Sequence, residues 1–539
     1  MAKTYGNFTD FVDFSRSSGG TALRRVSYGP ELAPSLENVA KVGDAASTIT
    51  YNSGDGSLDI DAATTLDGAI LNVPSIVVGR VYQMQATVTL GTSTDFRITV
   101  GPAYTTLASI KTSGVVILNF VAENTYVRMD TYADTGTLTV ESLSVKEVTF
   151  DQSSGDLVLF NHPDDIPRVE YDANGVVKGL LIEEARTNRV LYSQDTSNWD
   201  EDGTTTITNS TQTAPDGTAT ATLIDIGSTG SSLGPNRISL AGSGFSASDT
   251  LTASVFLKVP STSAADVVNV RMYCSGTTST DAQVDFDTSD FTASFQSAAV
   301  STVHSTEDYG NGWYRVAFTF TLDATATGGF NFRVGGTING SATGTDIIMW
   351  GAQLEVGSFP TSYIPTSGAT ATRSADIASI ATANFGYNKA AGTLVVDFDN
   401  LKFEAGGSRY PRPVEIGSST NAGERINVYV GEITGNFAYG INTAGSSQAG
   451  ATLVAANTSP LGPYKAGIAY KENDVAAVET GGDVLTDTSA DISGVVYPRN
   501  TLQIGGSTVG TTNHINGHIK SLSYRPRRLT NAQLQKLTG

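Results

Sequence analysis

Apolar and polar residues alternate along most of this chain in short runs, and Gly, Asp, Ser, Thr and Asn separate the runs. A period of two puts successive side chains on opposite faces of a strand, and the separators are turn formers. The strictest case is the segment WYRVAFTF at 313–320, which has aromatic ends and no break in the alternation. The same pattern predicts strands at 57–60, 82–88, 96–100, 115–120, 126–129 and 138–148. It recurs at 251–259, 267–273, 283–286, 330–334 and 346–354, and again at 393–398, 414–417, 426–430, 437–440, 467–471 and 502–505. One short helix is predicted near the end, in LTNAQLQKL, with Thr530 as N-cap and Leu534 and Leu537 on one face. The fold class that follows is all-β, with tandem antiparallel β-sandwiches and very little helix.

The spacing of the runs divides the chain. Residues 31–149 read as one sandwich, 191–368 as a second and larger one, and 393–539 as a third. Residues 150–190 and 369–392 read as connectors. The chain has 539 residues, enough for several cores. Residues 1–30 are too few for a core of their own. They hold Phe8, Phe11 and Phe14, then the basic residues Arg16, Arg24 and Arg25. Two readings stand for them: a first strand, or an anchor that docks into a larger assembly.

Composition narrows the classes. The net charge of −20, spread along the chain, excludes a basic nucleic-acid footprint. Only 16% of residues are charged, and Thr, Ser, Gly and Asn take their place, as on the surface of an extracellular β-protein. A single cysteine, Cys274, allows no intrachain disulfide. No stretch is apolar enough to span a membrane as a helix. The start, MAKTYGNFTDFVDF, lacks the basic and then apolar regions of a signal peptide.

The connector carries a polar knot, Glu183-Glu184-Ala185-Arg186-Thr187-Asn188, after the apolar run 179–182. Two acids followed by Arg and Asn suit a packed joint, since a flexible linker is rich in Gly and Ser. The phrase GLLIEEARTN, followed by Tyr192-Ser193 and Trp199, resembles the recurring connector of phage head-spike and tail-fibre proteins. WGAQLEVGSFPTSYIPTS at 350–367 and ATATRSADI at 369–377 follow in the order that family shows. The resemblance covers about 150–380 most closely. It implies a jelly-roll, carbohydrate-binding-like module at 191–368. SLSVKEV at 142–148 is similar to the last strand of such modules, but the Trp near their start is absent from 31–149. INGHIKSLSYRPRRLTNAQLQKLTG resembles the end of a concanavalin-like (laminin-G-like) sandwich. The resemblance also implies a homotrimer in the virion. Its N-terminus would be held by other virion proteins, and a lectin-like end would meet host surface polysaccharide.

Candidate chemistry is sparse. The carboxylate spacing of sandwich glycosidases is missing: Glu170-Tyr171-Asp172 begins it, but Gly175 stands at the third place. No catalytic residue is assigned. The pairs Asp285/Asp287 and Asp397/Asp399 each share a strand face and could offer oxygens to calcium; the same spacing is that of a strand end entering a turn. No other cofactor is indicated. His514 and His518 flank an Asn-Gly turn, which is no zinc helix. Sugar rings stack on aromatic faces. Trp313 and Trp350 lie in apolar strands and read as core. Trp199, Tyr410, Tyr429, Tyr439 and Tyr464 are the carbohydrate-binding candidates. The reading is a non-enzymatic virion fibre or spike, assembled in the host cytoplasm and exposed on the particle. The alternatives are a purely structural capsid or tail component, and a capsule-degrading depolymerase.

Overall fold

The computed structural model describes residues 12–539 except 101–104, 112, 132–133, 195, 202–205, 226–234, 238–244, 261–266, 275–280, 296–300, 324–329, 336–345, 404–409, 432–435, 455–461 and 511–512. It forms two compact units, Arg24–Asp164 and Met1–Leu23 with Asp165–Gly539. Among the described residues, the strand pairings with a register are antiparallel, in line with the all-β sandwich expectation.

The first unit is a sandwich. One sheet runs Gly114–Val121, Val81–Leu90, Gly136–Phe150, Gly20–Glu31, Asp156–His162. The other runs Ala40–Val42, Gly68–Asn72, Tyr126–Thr131, Phe96–Val100, Thr105–Ile110. Their inward positions, among them Leu58, Tyr82, Met84, Phe96, Met129 and Val140, make one dry core. A charged group inside is paired: Asp130 is fully buried and holds Arg97 at 3.0 Å and Arg128 at 2.6 Å.

The second unit holds two sandwiches. The central one has two six-stranded sheets. Trp313–Thr321 pairs with Thr250–Lys258, which in turn pairs with Ile347–Val356. Alternate residues of these strands, Leu251, Val255, Phe318, Phe320 and Leu354, face the core. The C-terminal sandwich has two seven-stranded sheets. Its closing helix Asn531–Thr538 has a capping box, Thr530 with Gln533, and buries Leu534 against Val395 and Ala469.

The C-terminal sandwich recruits chain from outside 393–539. Asp13–Ser15 and Ile377–Ala381 extend one sheet, through Ser379 opposite Asp13 and opposite Gln503. Val169–Tyr171 and Val177–Ile182 extend the other, with Leu181 opposite His518. The apolar run 179–182 is therefore a strand of that sheet, and Leu180, Leu181 and Ile182 are buried. The residues of the anchor expectation are placed as follows in the fold. Phe8 and Phe11 lie outside the described residues. Phe14 packs on the C-terminal core. Arg16 is buried and pairs with Asp376 at 3.1 Å. Arg24 is buried between Asp151, at 3.0 Å, and the Phe150 ring, 4.1 Å away. Arg25 donates to the Gly155 carbonyl at 3.2 Å. From Phe14 onward these side chains pack or pair within the fold.

The strand ends that enter the C-terminal sandwich meet in a buried charge cluster. Glu183 accepts from Arg168 at 2.9 Å and lies 3.5 Å from Arg373. It also accepts from the Ser362 amide at 2.8 Å and hydroxyl at 2.6 Å. Asp376 pairs with Arg168 and Arg16 and accepts from the Glu183 amide at 2.9 Å. The excess positive charge is met by carbonyls: Arg168 donates to Thr21 and Arg373 to Glu184. The rest of the knot is paired as well. Glu184 holds Arg186 at 2.6 Å, and Asn188 donates to the carbonyls of Ala352 and Ile364. Gly357, at φ +139°, makes room for Arg186: a Cβ there would stand 1.5 Å from Nη1. Burial pushes the Glu183 carboxyl up, but Arg373, Arg168 and the Ser362 hydrogen bonds outweigh it and hold it down at about 2.

Three outcomes are expected. Asp376→Asn leaves Arg16 and Arg168 short of a counter-charge and costs about 3–5 kcal/mol in urea unfolding. Glu183 titrates below its unfolded value, so its contribution of ~3 kcal/mol is complete above about pH 4.5 and is lost as pH falls toward 2. Thermal melts across that range should drop steeply for the native chain and more gently for Glu183→Gln. A chain ended at Gly392 removes Asn516–Arg525, the partner of Leu180–Ile182. It should bind hydrophobic dyes and lose solubility; a soluble, dye-silent product would contradict the shared sheet.

Candidate functional site

The strand Arg425–Val430 turns Ile426, Val428 and Val430 into the C-terminal core. Alternation therefore turns Arg425, Asn427 and Tyr429 outward. Its neighbours add to the same face: Glu415 lies opposite Asn427, and Gly440 lies opposite it on the other side. The rings of Tyr410 and Tyr429 meet edge to face with centroids 6.0 Å apart. Tyr410 is 39% exposed. Its amide donates to Asn513 Oδ1 at 2.8 Å, which fixes the loop that carries it.

Beside the tyrosines runs a polar row that is buried although it lies on the outer face. Arg412 pairs with Glu415 and donates to Ser507 Oγ at 2.8 Å. Glu415 also accepts from the Thr508 amide and hydroxyl, each at 2.8 Å. Burial pulls the Arg412 guanidinium down from its ordinary value, against the pull of Glu415. Asn427 Nδ2 reaches Glu415 at 3.4 Å, while its Oδ1 is buried with no hydrogen-bond partner. Gly440 lies against that oxygen without room for a side chain. A Cβ at 440 would stand 3.0 Å from Asn427 Oδ1 and 3.4 Å from the Tyr429 ring. The result is an aromatic shelf, a tyrosine pair whose exposed ring edge stands on a buried polar row, of the kind that stacks on a ring with one apolar face.

A cleft of about 300 Å³ opens elsewhere in the same unit, lined by Glu170, Tyr171, Asp172, Lys178, Glu307 and Tyr309 among others. Lys178 Nζ lies 3.1 Å from Glu170 and 2.9 Å from Glu307. His518 Nε2 sits 2.5 Å from Glu170. Burial raises both carboxyls, but Lys178, with His518 at Glu170, outweighs it and holds both below the ordinary range. Neither carboxyl is a proton donor near neutral pH, and glycoside cleavage needs one acid beside one base.

The other expected residues are placed differently. Trp199 is buried in the central core, where Nε1 donates to the Tyr192 carbonyl at 2.9 Å and the ring stands edge-on to Phe332. Tyr439 is only 2% exposed and faces the C-terminal core. Tyr464 stacks on Phe437 at 5.9 Å and packs against that core. The rings of Trp199 and Tyr439 are covered and present no stacking face, while Tyr464 is half-buried. Trp313 and Trp350 are buried, as their strands predict. Asp285 accepts from Asn269 and Asp287 from the turn residue Ser289. Asp397 faces Lys465 at 3.6 Å and Asp399 faces Lys520 at 2.7 Å. Among the described residues no three His, Cys, Asp or Glu side chains gather as metal ligands. Of the five aromatic candidates, the structure brings together only Tyr410 and Tyr429. Arg412, Glu415 and Asn427 were not singled out from sequence. The alternation of VEIG and RINVYV carried the signal, since it puts Glu415 and Asn427 outward with Tyr429.

The architecture is that of an all-β protein of tandem antiparallel sandwiches. No family model matches the chain, and no curated protein matches it. Among solved structures it is similar to the N-terminal CBM22-1-CBM22-2 tandem domain of Paenibacillus barcinonensis Xyn10C, with 10% identity, 62% of this chain and 100% of that chain covered, and a TM-score of 0.22. It is also similar to domains LG4-5 of the mouse laminin alpha1 chain, with 11% identity, 57% and 93% covered, and a TM-score of 0.18. Both likenesses concern the sandwich fold, and no argument about this chain's ligand rests on them.

If the shelf takes sugar rings, Tyr429→Ala should weaken glycan binding about tenfold, near 1.4 kcal/mol. Gly440→Val should weaken it by crowding Asn427 and pushing the Tyr429 ring. Titration calorimetry against bacterial polysaccharide fragments checks both, with circular dichroism to confirm that each variant is folded.

Proposed function

We propose that this protein is a virion attachment protein that holds host surface polysaccharide without cutting it. The observation that carries this reading is the Tyr410–Tyr429 shelf beside the buried Arg412–Glu415–Asn427 row. Rings give sugar stacking, and the buried charges and amide beneath hold the rings in place. A shallow outer face of this kind binds weakly, so several copies on one particle would supply the avidity. Reading the protein as a binder and not as a depolymerase is supported by the cleft at Glu170, where both carboxyls are tied to one lysine. The virion setting comes from the connector phrase and the order of phrases that follow it.

The test is adsorption of the purified full chain to bacterial cells and to their isolated capsular and lipopolysaccharide glycans, with reducing ends measured in the same samples. Binding that free polysaccharide competes away, with no new reducing ends, is expected. Absence of binding to any glycan overturns attachment and leaves a structural role. Release of reducing ends overturns the non-enzymatic part.

A further inference from the structure

The strand Gly114–Val121 lies at one end of its sheet in the first unit. It reads GVVILNFV, eight residues with no charge and no proline. Its pairing with Val81–Leu90 runs without a register shift, from Gly114 opposite Val88 to Val121 opposite Val81. Charges, prolines, bulges and shortness are the devices that keep a sheet edge from pairing with another chain. This strand has none of them. Other end strands do. Ser446–Val454 of the C-terminal sandwich carries two register shifts against its neighbour, and Val169–Tyr171 and Leu485–Asp487 are three residues long.

The far end of the strand is engaged, since Asn119 Nδ2 donates to the Asn161 carbonyl at 2.9 Å. The open stretch is 114–118. Val116 and Leu118 pack inward on the core. Val115 is left 57% exposed on the outer face, with Ile117 half-buried beside it.

We infer that 114–118 is a self-association edge, and that its occupant is the same stretch of a second copy running antiparallel. A two-fold axis through Val116 sets Val115 opposite Ile117 on the outer face and Gly114 opposite Leu118 on the inner one. Every facing pair is then apolar or glycine, so the edge is complementary to itself. Two chains of net charge −20 repel, and a stretch with no acidic residue is where they approach at least cost. Five paired residues make a small contact, so the association is concentration-dependent. Such a contact joins copies in twos, unlike the threefold assembly that the phage resemblance implies.

Sedimentation velocity of the full chain over a rising concentration series tests this, beside the double variant Val115→Lys/Ile117→Lys. Both side chains point outward, and near-ultraviolet circular dichroism reports whether the variant keeps its core. The native chain should gain a pairing step with concentration that the variant lacks. Hydrogen exchange of the native amides at 114–118 should slow over the same range, and this readout decides the matter if the variant unfolds. A native chain with no pairing step and no concentration dependence of exchange overturns the inference. So does a folded variant that associates like the native chain.

Discussion

Arg168 sits fully buried between Glu183 and Asp376, and the course of the chain through its second unit depends on that contact. A guanidinium out of water is costly unless its charge is paired and most of its donors are met. Here the charge is met by Glu183 and Asp376, and the terminal donors by those carboxylates, Ser362 and the Thr21 carbonyl, while Nε is buried without a hydrogen-bond partner. Both carboxylates stand where a strand ends or begins. Satisfying the charge therefore fixes where Asp13–Ser15, Val169–Tyr171, Val177–Ile182 and Ile377–Ala381 start or stop. A hydrophobic patch would leave those ends free to slide, whereas paired charges tie them to one register.

This arrangement changes what counts as a domain. The C-terminal sandwich is closed by strands that lie hundreds of residues upstream. Ile182 sits in the same core as Ile416, Ile441 and Ile504. The segment 357–366 does similar work for the central sandwich. Its Tyr363 covers Phe256 and Trp350, and Arg315 donates to the Thr361 carbonyl at 2.6 Å. The phrase FPTSYIPTS thus caps one sandwich and delivers Ser362 to the charge cluster of the next. What remains for ligand is the outer face of a sheet whose inner face is already fixed, a rigid base for the tyrosine shelf.

Much of this was legible in the sequence. Alternation is a local signal, so WYRVAFTF and RINVYV gave their strands and their inward faces directly. The capped helix at the end was equally local. The charged knot announced a packed joint because acids and arginines in a connector must find partners. Its partners were not legible, since Arg16 and Asp376 meet across most of the chain and nothing in either neighbourhood points to the other. The same limit applies to the apolar run 179–182, which reads as a strand without saying which sheet it joins. The candidate tyrosines divide on one feature. Tyr429 occupies an outward position in its strand, while Tyr439 occupies an inward one, and counting positions from the core residues separates them. The exposure of Tyr410 depends on a loop held by Asn513, which no pattern near 410 reveals.

The central claim is that the segment 168–183 is an integral part of the C-terminal sandwich, held by the buried cluster. Native-state hydrogen exchange tests it most directly. The amides of Leu181, Glu183 and Asp376, which donate within the cluster or beside it, should open only with the core strands Ala391–Lys402 and Asn516–Arg525, at the same free energy. Exchange of those three amides at the rate of an exposed linker, while the core strands stay protected, would contradict it.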